Sequence, residues 1–500
     1  MERFVMKKNI DTHRSPGLDE AVFGEALCSR RDFGKWIAGL VGVAACGSMR
    51  LLAATATTAP ATTQPRLPGA NQAFLKEQAR RIVDSARVAA GQTVDQYHNA
   101  TSYDMHVPGG NMGYAAYWTR DSIMMLGADL ISAAEIEGWI KLICSTLRGP
   151  EDWQVRPGVV VPAYAVPDHI NFDGKATFYP GNCETGDKQG GHPFGKYPPL
   201  DDNFYFITAV YEHWKLARDL GLFRSKVRTF SGEERLAEVC EKVYKQPPFD
   251  PATGLLVAGD IEHENTKDWG FCDCVFKSGK LLFPSILKLI AARQLGEMFA
   301  AAGETGKAAG YQKDAQRIAA AIEATFLYPV EGGSEAWLHS ATGIGNQPDV
   351  WGSALAVHSG VLKAATAQKV SRALVRAFRE KTAVQNGFIR HILTTDRVNK
   401  GGWENSIVGL GTYQNGGYWG APVGWYISAI FKSDPGAAAE LAKEYIKFLR
   451  GNMRADGMTE AWEWCNADTG EHANPLYAAS VALPYVSLKA AGRLDVLDPA

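Results

Sequence analysis

The sequence lacks an excess of charge of either sign. Its 500 residues include 52 Lys and Arg against 54 Asp and Glu, so the formal net charge is −2. A nucleic-acid-binding domain usually carries a basic surplus. Nucleic acid is therefore not an expected partner, and a neutral or weakly charged ligand is favoured. With 46% hydrophobic residues, the chain is long enough to bury a large core.

Cysteine is scarce, and its spacing does not suggest a metal site. The sequence contains no Cys-x-x-Cys pair, the spacing that would indicate structural zinc. Cys272 and Cys274 are too close along the chain for a good mutual disulfide. We expect buried free thiols, no bound metal and no organic cofactor. The sequence also contains no glycine-rich phosphate-binding motif and no nucleophile elbow. The cysteines are Cys28, Cys46, Cys144, Cys183, Cys240, Cys272, Cys274 and Cys465.

The amino terminus resembles an export signal. Ser29-Arg30-Arg31-Asp32-Phe33-Gly34-Lys35 closely matches a twin-arginine motif. The apolar run that follows, from Trp36 to Cys46, is too short to span a bilayer as a mature helix. We therefore predict that residues 1–56 direct export by the twin-arginine route to the periplasm or the exterior. An ordinary cytosolic Arg-Arg pair is the alternative.

Two processing sites compete within this signal. Ala54-Thr55-Ala56 fits ordinary signal cleavage, whereas Val43-Ala44-Ala45-Cys46 resembles a lipobox that would attach a lipid anchor at Cys46. We favour cleavage because the Thr/Ala/Pro-rich residues 57–69 would then form a flexible linker. Residues 70–500 are predicted to form one catalytic domain.

Helix-period apolar patterns recur through this domain, with little strand signal. Long connections at 147–203 and 243–283 contrast with short ones at 302–306 and 359–363. Twelve helices fit six hairpins, so we predict an all-α toroid with long, ligand-binding loops on one rim. The predicted helices span 71–97, 122–131, 134–147, 203–220, 234–243, 283–302, 306–326, 350–359, 363–380, 423–431, 435–449 and 477–491.

A carboxylate between two tryptophans is the leading catalytic candidate. Glu463 lies in Trp462-Glu463-Trp464, ahead of an Asp468-Thr469-Gly470 turn. Aromatic neighbours can exclude solvent and keep a water molecule ordered, as the base of a sugar-binding cleft requires. A surface glutamate at a loop edge is the alternative. Glu460 and Glu404 are the substitutes for the base role.

Two further segments carry groups suited to sugar hydroxyls. In Trp118-Thr119-Arg120-Asp121, the guanidinium and the carboxylate can each form paired hydrogen bonds, although Asp121 could instead cap a helix. The segment from Tyr413 to Trp419 offers amides and a stacking face, or else a turn with buried aromatic residues. The predicted substrate-binding residues are Trp118, Arg120, Asp121, Gln414, Asn415, Trp419 and Trp464.

Other polar residues suggest weaker sites. Asp201-Asp202-Asn203 could bind a sugar or Ca²⁺, but we prefer a plain helix cap. His169, beside Asp168, and His192 have no partner pattern that indicates a metal. We expect specificity contacts or loop packing from these histidines.

The motifs together resemble glycosidases with an (α/α)6 barrel. Tyr418-Trp419-Gly420-Ala421-Pro422 and the Glu463 segment resemble the family of processing glucosidase I and mannosylglycerate hydrolase, with Gly420-Ala421 in place of Arg-Gly. Trp118-Thr119-Arg120-Asp121 is similar to a glucoamylase-family pattern that binds the terminal sugar. The resemblance implies a six-hairpin (α/α)6 toroid and Glu463 as the general base of a glycoside hydrolase.

The general acid has two candidates. The segment from Glu264 to Phe271 resembles the family's acid loop, in which Asp268 holds the position of the acid. Lys267 replaces a tryptophan there, and an ammonium group opposes the protonated form that an acid needs. Asp273 is therefore the alternative. For an inverting enzyme we expect the acid and Glu463 to lie about 6.5–9.5 Å apart.

The sequence thus predicts an exported, inverting exo-glycosidase that acts as a monomer on an oligo- or polysaccharide. A polysaccharide lyase or an unsaturated-uronide hydrolase is an alternative on the same fold. Such enzymes need positive charge around the cleft, which Arg156, Lys175, Arg390 and His391 could supply. A noncatalytic glycan-binding protein is the alternative from another class.

Overall fold

The computed structural model describes residues 69–110, 112–156, 159–178, 198–258, 272–406 and 408–499. The predicted export signal, Cys46 and most of the linker lie outside the described residues. So do Asp268, with the segment proposed as the acid loop, and His192.

Thirteen α-helices occur within the described ranges, and none of them is long and apolar enough to cross a bilayer. A short 3-10 helix, Leu494–Leu497, follows the last of them. The α-helices are α1 (Ala70–Ser85), α2 (Thr119–Met124), α3 (Ala133–Thr146), α4 (Asp202–Ala217), α5 (Gly221–Arg224), α6 (Leu236–Lys245), α7 (Leu282–Ala301), α8 (Thr305–Phe326), α9 (Val350–His358), α10 (Ala364–Arg379), α11 (Val423–Phe431), α12 (Pro435–Gly451) and α13 (Ala479–Ala490).

The helices divide into two classes by burial. In α9, every residue from Val350 to Val357 is buried, so this helix is surrounded by protein. In α10, the buried residues recur at helical spacing, as at Ala367, Val370 and Leu374, and the opposite face is polar. A helix that is apolar all round belongs in a core, and one with a single apolar stripe belongs on the outside.

The two classes alternate along the chain and form two concentric rings. The inner helices α2, α4, α7, α9, α11 and α13 pack each against the next, and α13 packs back on α2. The outer helices α1, α3, α6, α8, α10 and α12 pack against them. This closed arrangement confirms the predicted (α/α)6 toroid of six hairpins.

Strands occupy the connections and are two to four residues long. The largest sheet in the described ranges is five-stranded and antiparallel, in the order Val384–Gln385, Phe388–Arg390, Tyr418–Trp419, Trp464–Cys465 and His472–Ala473. The strands are β1 (Arg87–Val88), β2 (Thr93–Val94), β3 (Tyr97–His98), β4 (Met105–His106), β5 (Tyr117–Trp118), β6 (Trp153–Arg156), β7 (Val159–Val161), β8 (His169–Ile170), β9 (Ala176–Thr177), β10 (Lys226–Thr229), β11 (Gly232–Arg235), β12 (Val257–Ala258), β13 (Gly279–Lys280), β14 (Leu327–Pro329), β15 (Ala336–Leu338), β16 (Val384–Gln385), β17 (Phe388–Arg390), β18 (Tyr418–Trp419), β19 (Trp464–Cys465) and β20 (His472–Ala473).

Two predicted helices extend far beyond the observed ones. The first helix ends at Ser85 rather than at residue 97, because Arg87 and Val88 pair as a strand with Met105 and His106, and the chain then turns at Gly91, whose φ is +73°. The second spans α2 alone, since a break at Gly127, with φ of +102°, prevents its predicted extension to residue 131. Both glycines adopt a left-handed conformation that a helix cannot contain.

Loop length separates the two ends of the toroid. The connections that lead into the inner helices are long: 86–118, 147–201, 246–281, 327–349, 380–422 and 452–478. By contrast, residues 302–304, 359–363 and 432–434 leave inner helices as tight turns. The predicted alternation is confirmed. We call the two ends the long-loop rim and the short-turn rim.

Candidate active site

Glu463 is fully buried on the long-loop rim, directly before β19. Its main-chain N–H donates to the carbonyl of Ala473 at 3.1 Å. Its Oε2 accepts hydrogen bonds from the Tyr114 hydroxyl at 3.3 Å and from the Asn474 amide at 2.6 Å. Two donors from different loops therefore fix the orientation of this carboxylate.

Arg120 lies in the first turn of α2, with only 2% of its surface exposed. Its guanidinium contacts two buried carboxylates: Nη2 is 2.7 Å from Asp201 Oδ2, and Nη1 is 3.7 Å from Asp273 Oδ1. Asp201 directly precedes α4 but makes no capping hydrogen bond with its side chain. Its carboxylate pairs with Arg120 instead, which corrects our preference for a plain helix cap.

Asp121 also departs from the helix-cap alternative. The helix begins at Thr119 and is preceded by Trp118, so Asp121 lies within the first turn. Its Oδ1 accepts a hydrogen bond from the Tyr477 hydroxyl at 2.7 Å. The carboxylate thus ties the start of α2 to the segment that leads into α13.

Asp273 is held from the loop that precedes α11. Its Oδ2 accepts a hydrogen bond from the Tyr413 hydroxyl at 3.0 Å, and its main-chain N–H donates to Gln414 Oε1 at 2.9 Å. The Tyr413 ring meets Trp464 edge-on, with centroids 6.0 Å apart. Since Trp464 adjoins Glu463 in the chain, this contact brings the Asp273 and Glu463 segments together.

A second set of contacts connects Glu463 to the segment that contains Arg120. Tyr114, which donates to Glu463, meets the Trp118 ring edge-on at 6.0 Å, and its carbonyl accepts from Trp118 Nε1 at 3.2 Å. Trp118 precedes Arg120 by two residues. The predicted base, the predicted sugar clamp and Asp273 therefore belong to one contiguous cluster, which we call the rim cluster.

His169 forms one wall beside this cluster. Its ring stacks on Trp118 with centroids 4.2 Å apart and an interplanar angle of 26°. Its Nδ1 lies 2.7 Å from Asp168 Oδ2. The histidine therefore orients Trp118, as the loop-packing interpretation predicts.

The remaining predicted sugar ligands hold the loops of the site. Asn415 Oδ1 accepts from the Trp403 N–H at 2.8 Å, and its amide donates to the Val408 carbonyl at 2.9 Å. Trp419 is fully buried between Trp351 and Tyr413. Direct contact of Gln414, Asn415, Trp419 and the 7%-exposed Trp464 with substrate stays a prediction.

The substitutes for the base have other partners. Glu404 Oε2 accepts from the Gly345 N–H at 2.8 Å, and Glu460 pairs with Arg454 at 3.3 Å on a partly exposed surface. Neither hydrogen-bonds to Tyr114 or Asn474 in the described structure. Glu463 is thus the stronger candidate of the three.

Sequence reasoning missed the two side chains that orient Glu463. Asn474 had a usable signal, because the Asp468-Thr469-Gly470 turn predicts a hairpin. In the observed register Trp464 pairs with Ala473, which places Asn474 across from Glu463. Tyr114 has no such signal; its φ of +64° is a property of the folded loop.

Metal ligands are not clustered in the part of the chain that the structure describes: no group of three or more His, Cys, Asp or Glu residues could hold an ion there. The cysteines within the same ranges are all free thiols, namely Cys144, Cys240, Cys272, Cys274 and Cys465.

Comparison with known proteins identifies the fold. A glucoamylase from Saccharomycopsis fibuligera is 12% identical, with a TM-score of 0.50 over 85% of this chain and 96% of its own. A bacterial glucoamylase solved in complex with acarbose is 13% identical, with a TM-score of 0.51 over 84% of this chain and 55% of its own. No protein-family model and no curated protein matches the sequence. The chain has the six-hairpin toroid fold found in these glucoamylases.

Proposed function

We propose that this protein is an exported, inverting exo-glycosidase with Glu463 as its general base. The observation that carries the proposal is the buried Glu463 carboxylate, oriented by Tyr114 and Asn474 in the same cluster as the Arg120 clamp. Inverting hydrolysis needs an oriented carboxylate that takes a proton from water on the far side of the sugar. The glucoamylase-like fold supports this reading.

The two donors to Glu463 hold its carboxylate in place. Oε2 accepts from both Tyr114 and Asn474, which keeps the group in one orientation. We infer that this carboxylate takes the proton from the attacking water. The water oxygen then bonds to the anomeric carbon as the glycosidic bond breaks, and the leaving oxygen receives its proton from the acid.

Asp268 remains our first choice for the acid, and Asp273 the second. Asp273 Oδ1 lies 3.7 Å from the Arg120 guanidinium, which favours an ionised carboxylate rather than a proton donor. In this assignment Asp273 and Asp201 together hold the guanidinium toward the terminal sugar. The acid and Glu463 are expected about 6.5–9.5 Å apart.

A neutral sugar fits this rim better than a uronide. Arg390 donates to the Gly401 carbonyl at 2.6 Å, and His391 is fully buried. Lys175 pairs with Asp173 on the surface, where its side chain is 66% exposed. Arg390 and Lys175 are thus paired within the protein and His391 is enclosed, which disfavours a lyase or a uronide hydrolase. The side chain of Arg156 lies outside the described part of the structure.

Product analysis is the direct test. The protein would be screened with chromogenic glycosides and plant or algal oligosaccharides, and the anomer released first would be followed by NMR. We expect a single sugar of inverted configuration from the chain end. Retention of configuration would contradict the inverting mechanism, and binding without turnover would favour a noncatalytic glycan-binding protein.

The acid would be assigned with Asp268→Asn and Asp273→Asn. A variant of the true acid should lose much less activity on substrates with a good leaving group, because these need little protonation. Loss of the Asp273 carboxylate should instead lower activity on all substrates by a similar factor, because it disturbs the Arg120 guanidinium. The reverse pattern would assign the acid to Asp273.

Export is the remaining part of the proposal, with a lipid anchor at Cys46 as the alternative to cleavage. Changing Arg30 and Arg31 together to Lys should retain the precursor in the cytoplasm, because lysine lacks the planar guanidinium. Periplasmic accumulation of this variant would contradict export by the twin-arginine route.

A further inference from the structure

A chain of three fully buried polar side chains adjoins the rim cluster. Cys272 Sγ lies 3.1 Å from His391 Nδ1, and His391 Nε2 lies 3.1 Å from Asp349 Oδ1. The residues come from distant parts of the sequence: the segment before α7, the end of β17 and the start of α9. The proposed mechanism uses none of them.

The charge state of Asp349 sets the direction of its hydrogen bond with His391. Burial acts to raise the pKa of Asp349, but His391 and Lys277 outweigh it, and its pKa lies below the ordinary value. An ionised Asp349 accepts the Nε2–H of His391. On the other side of the ring, His391 Nδ1 faces the Cys272 sulfur, which also receives a bond from Lys277 Nζ at 3.6 Å.

Aromatic rings enclose the imidazole. Trp351 stacks on His391 with centroids 4.1 Å apart and planes within 5°. Trp403 meets the same ring edge-on at 4.8 Å, and Lys277 Nζ lies 4.3 Å from the Trp403 centroid. His391 therefore has little freedom to move, and the position of Cys272 is fixed with it.

The main chain after Cys272 is anchored as firmly. Gln414 Oε1 accepts from the N–H groups of Asp273 at 2.9 Å and Cys274 at 3.4 Å. The Ser406 hydroxyl donates to the Cys274 carbonyl at 2.9 Å. Contacts thus fix the side chain of Cys272 and the main chain of Asp273 and Cys274. In this arrangement the Asp273 carboxylate points toward Arg120.

We propose that Asp349 and His391 are positioning residues for the reaction: acting through Cys272, they fix the main chain that presents Asp273 to Arg120. The proposal rests on the glycosidase function proposed above. Cys272 has no exposed surface, so the chain reaches the substrate only through Asp273. A displacement of about 1 Å at such a clamp can cost on the order of 10²-fold in rate.

The test compares three cysteine variants of the full-length protein on the substrate that the wild type hydrolyses. Cys272→Ala removes the contact with His391, Cys272→Ser keeps a hydroxyl donor, and Cys144→Ala removes an equally buried thiol in the outer helix α3. The melting temperature and kcat/KM of each are measured. His391→Gln, which can still reach Asp349 but not Cys272, is a fourth variant if Cys272→Ala does not fold.

We expect Cys272→Ala and His391→Gln to lower kcat/KM by about 10- to 100-fold. Cys272→Ser should recover most of that loss, and Cys144→Ala should lower the melting temperature without changing kcat/KM. Unchanged kcat/KM in folded Cys272→Ala, no recovery in Cys272→Ser, or an equal loss in Cys144→Ala would each overturn the positioning role. A wild type that hydrolyses no glycoside would instead refute the proposed function.

Discussion

The two rims of the toroid are built from the same inner helices but differ in how deeply they bury charged side chains. On the long-loop rim, Glu463, Arg120 and Asp273 are almost completely buried, each with partners from other loops. On the short-turn rim, Arg235 and Glu304 form a pair at 3.1 Å that remains partly exposed. Tight turns offer too little chain to enclose an ion, whereas long loops can supply both cover and hydrogen bonds.

Backbone conformation around Glu463 differs from that in two of the tight turns. Around Glu463, the residues Tyr114, Ala461 and Leu476 have φ values of +64°, +44° and +60°. The turns that end α7 and α9 use Gly303 and Gly360 for their left-handed positions. Non-glycine residues in this conformation cost of order 1–3 kcal/mol each and persist where the surrounding structure enforces them. Strain is thus tolerated beside the predicted base, while these simple turns use glycine.

The largest effect should come from the base itself. Glu463→Gln keeps the shape of the side chain but cannot take a proton, so turnover should be abolished while sugar binding survives. Kinetics and calorimetric binding would be measured together. Glu460→Gln, three residues away on the partly exposed surface, is the matched control and should retain activity. Full activity of Glu463→Gln would move the base role to Glu404 or Glu460.

A smaller loss is expected at the clamp. Arg120→Lys keeps the charge but loses the planar fork that reaches Asp201 and Asp273, so transition-state binding should weaken by about 1–3 kcal/mol. Arg235→Lys, which alters the exposed pair on the short-turn rim, should leave kcat/KM unchanged. Equal kinetics for the two variants, with intact folding, would show that Arg120 is structural.

The smallest effect on activity, but a clear one on stability, should come from Glu212. This residue of α4 lies away from the rim cluster, and its Oε1 is buried without a hydrogen-bond partner among the residues that the structure describes. Burial raises the pKa of Glu212 to about 8, against an ordinary value of 4.5. The folded protein therefore holds a proton that the unfolded chain releases, and stability should fall as the pH rises from about 4.5 to about 8.

Glu212→Gln removes this ionisation. The variant should melt at a higher temperature than the wild type at pH 8, and the difference should shrink toward pH 4.5, while kcat/KM stays unchanged. Thermal unfolding across this pH range is the measurement. A difference in melting temperature that is the same at every pH would mean that Glu212 is not the group responsible. A loss of activity would contradict the expectation that residues away from the rim cluster do not affect kcat/KM.

The sequence by itself determined the helical pattern and the identity of two motifs. Apolar spacing predicted the inner and outer helices because a helix must bury its apolar face wherever it lies. It also marked Glu463, by its aromatic neighbours and the turn that follows, and Arg120, by its pattern with Trp118. The predicted extent of the first helix was wrong, because strand pairing at residues 87–88 and the turn at Gly91 outweighed the apolar period.

Only the tertiary structure decided which groups act together. Asp201 pairs with Arg120, Tyr114 donates to Glu463, and His391 joins Asp349 to Cys272 across separations of 42 to 349 residues. Local pattern carries no information on such contacts, because they depend on which loops meet when the ring of helices closes. A charged group on one loop acquires its role only when the partners that neutralise and orient it arrive from the others.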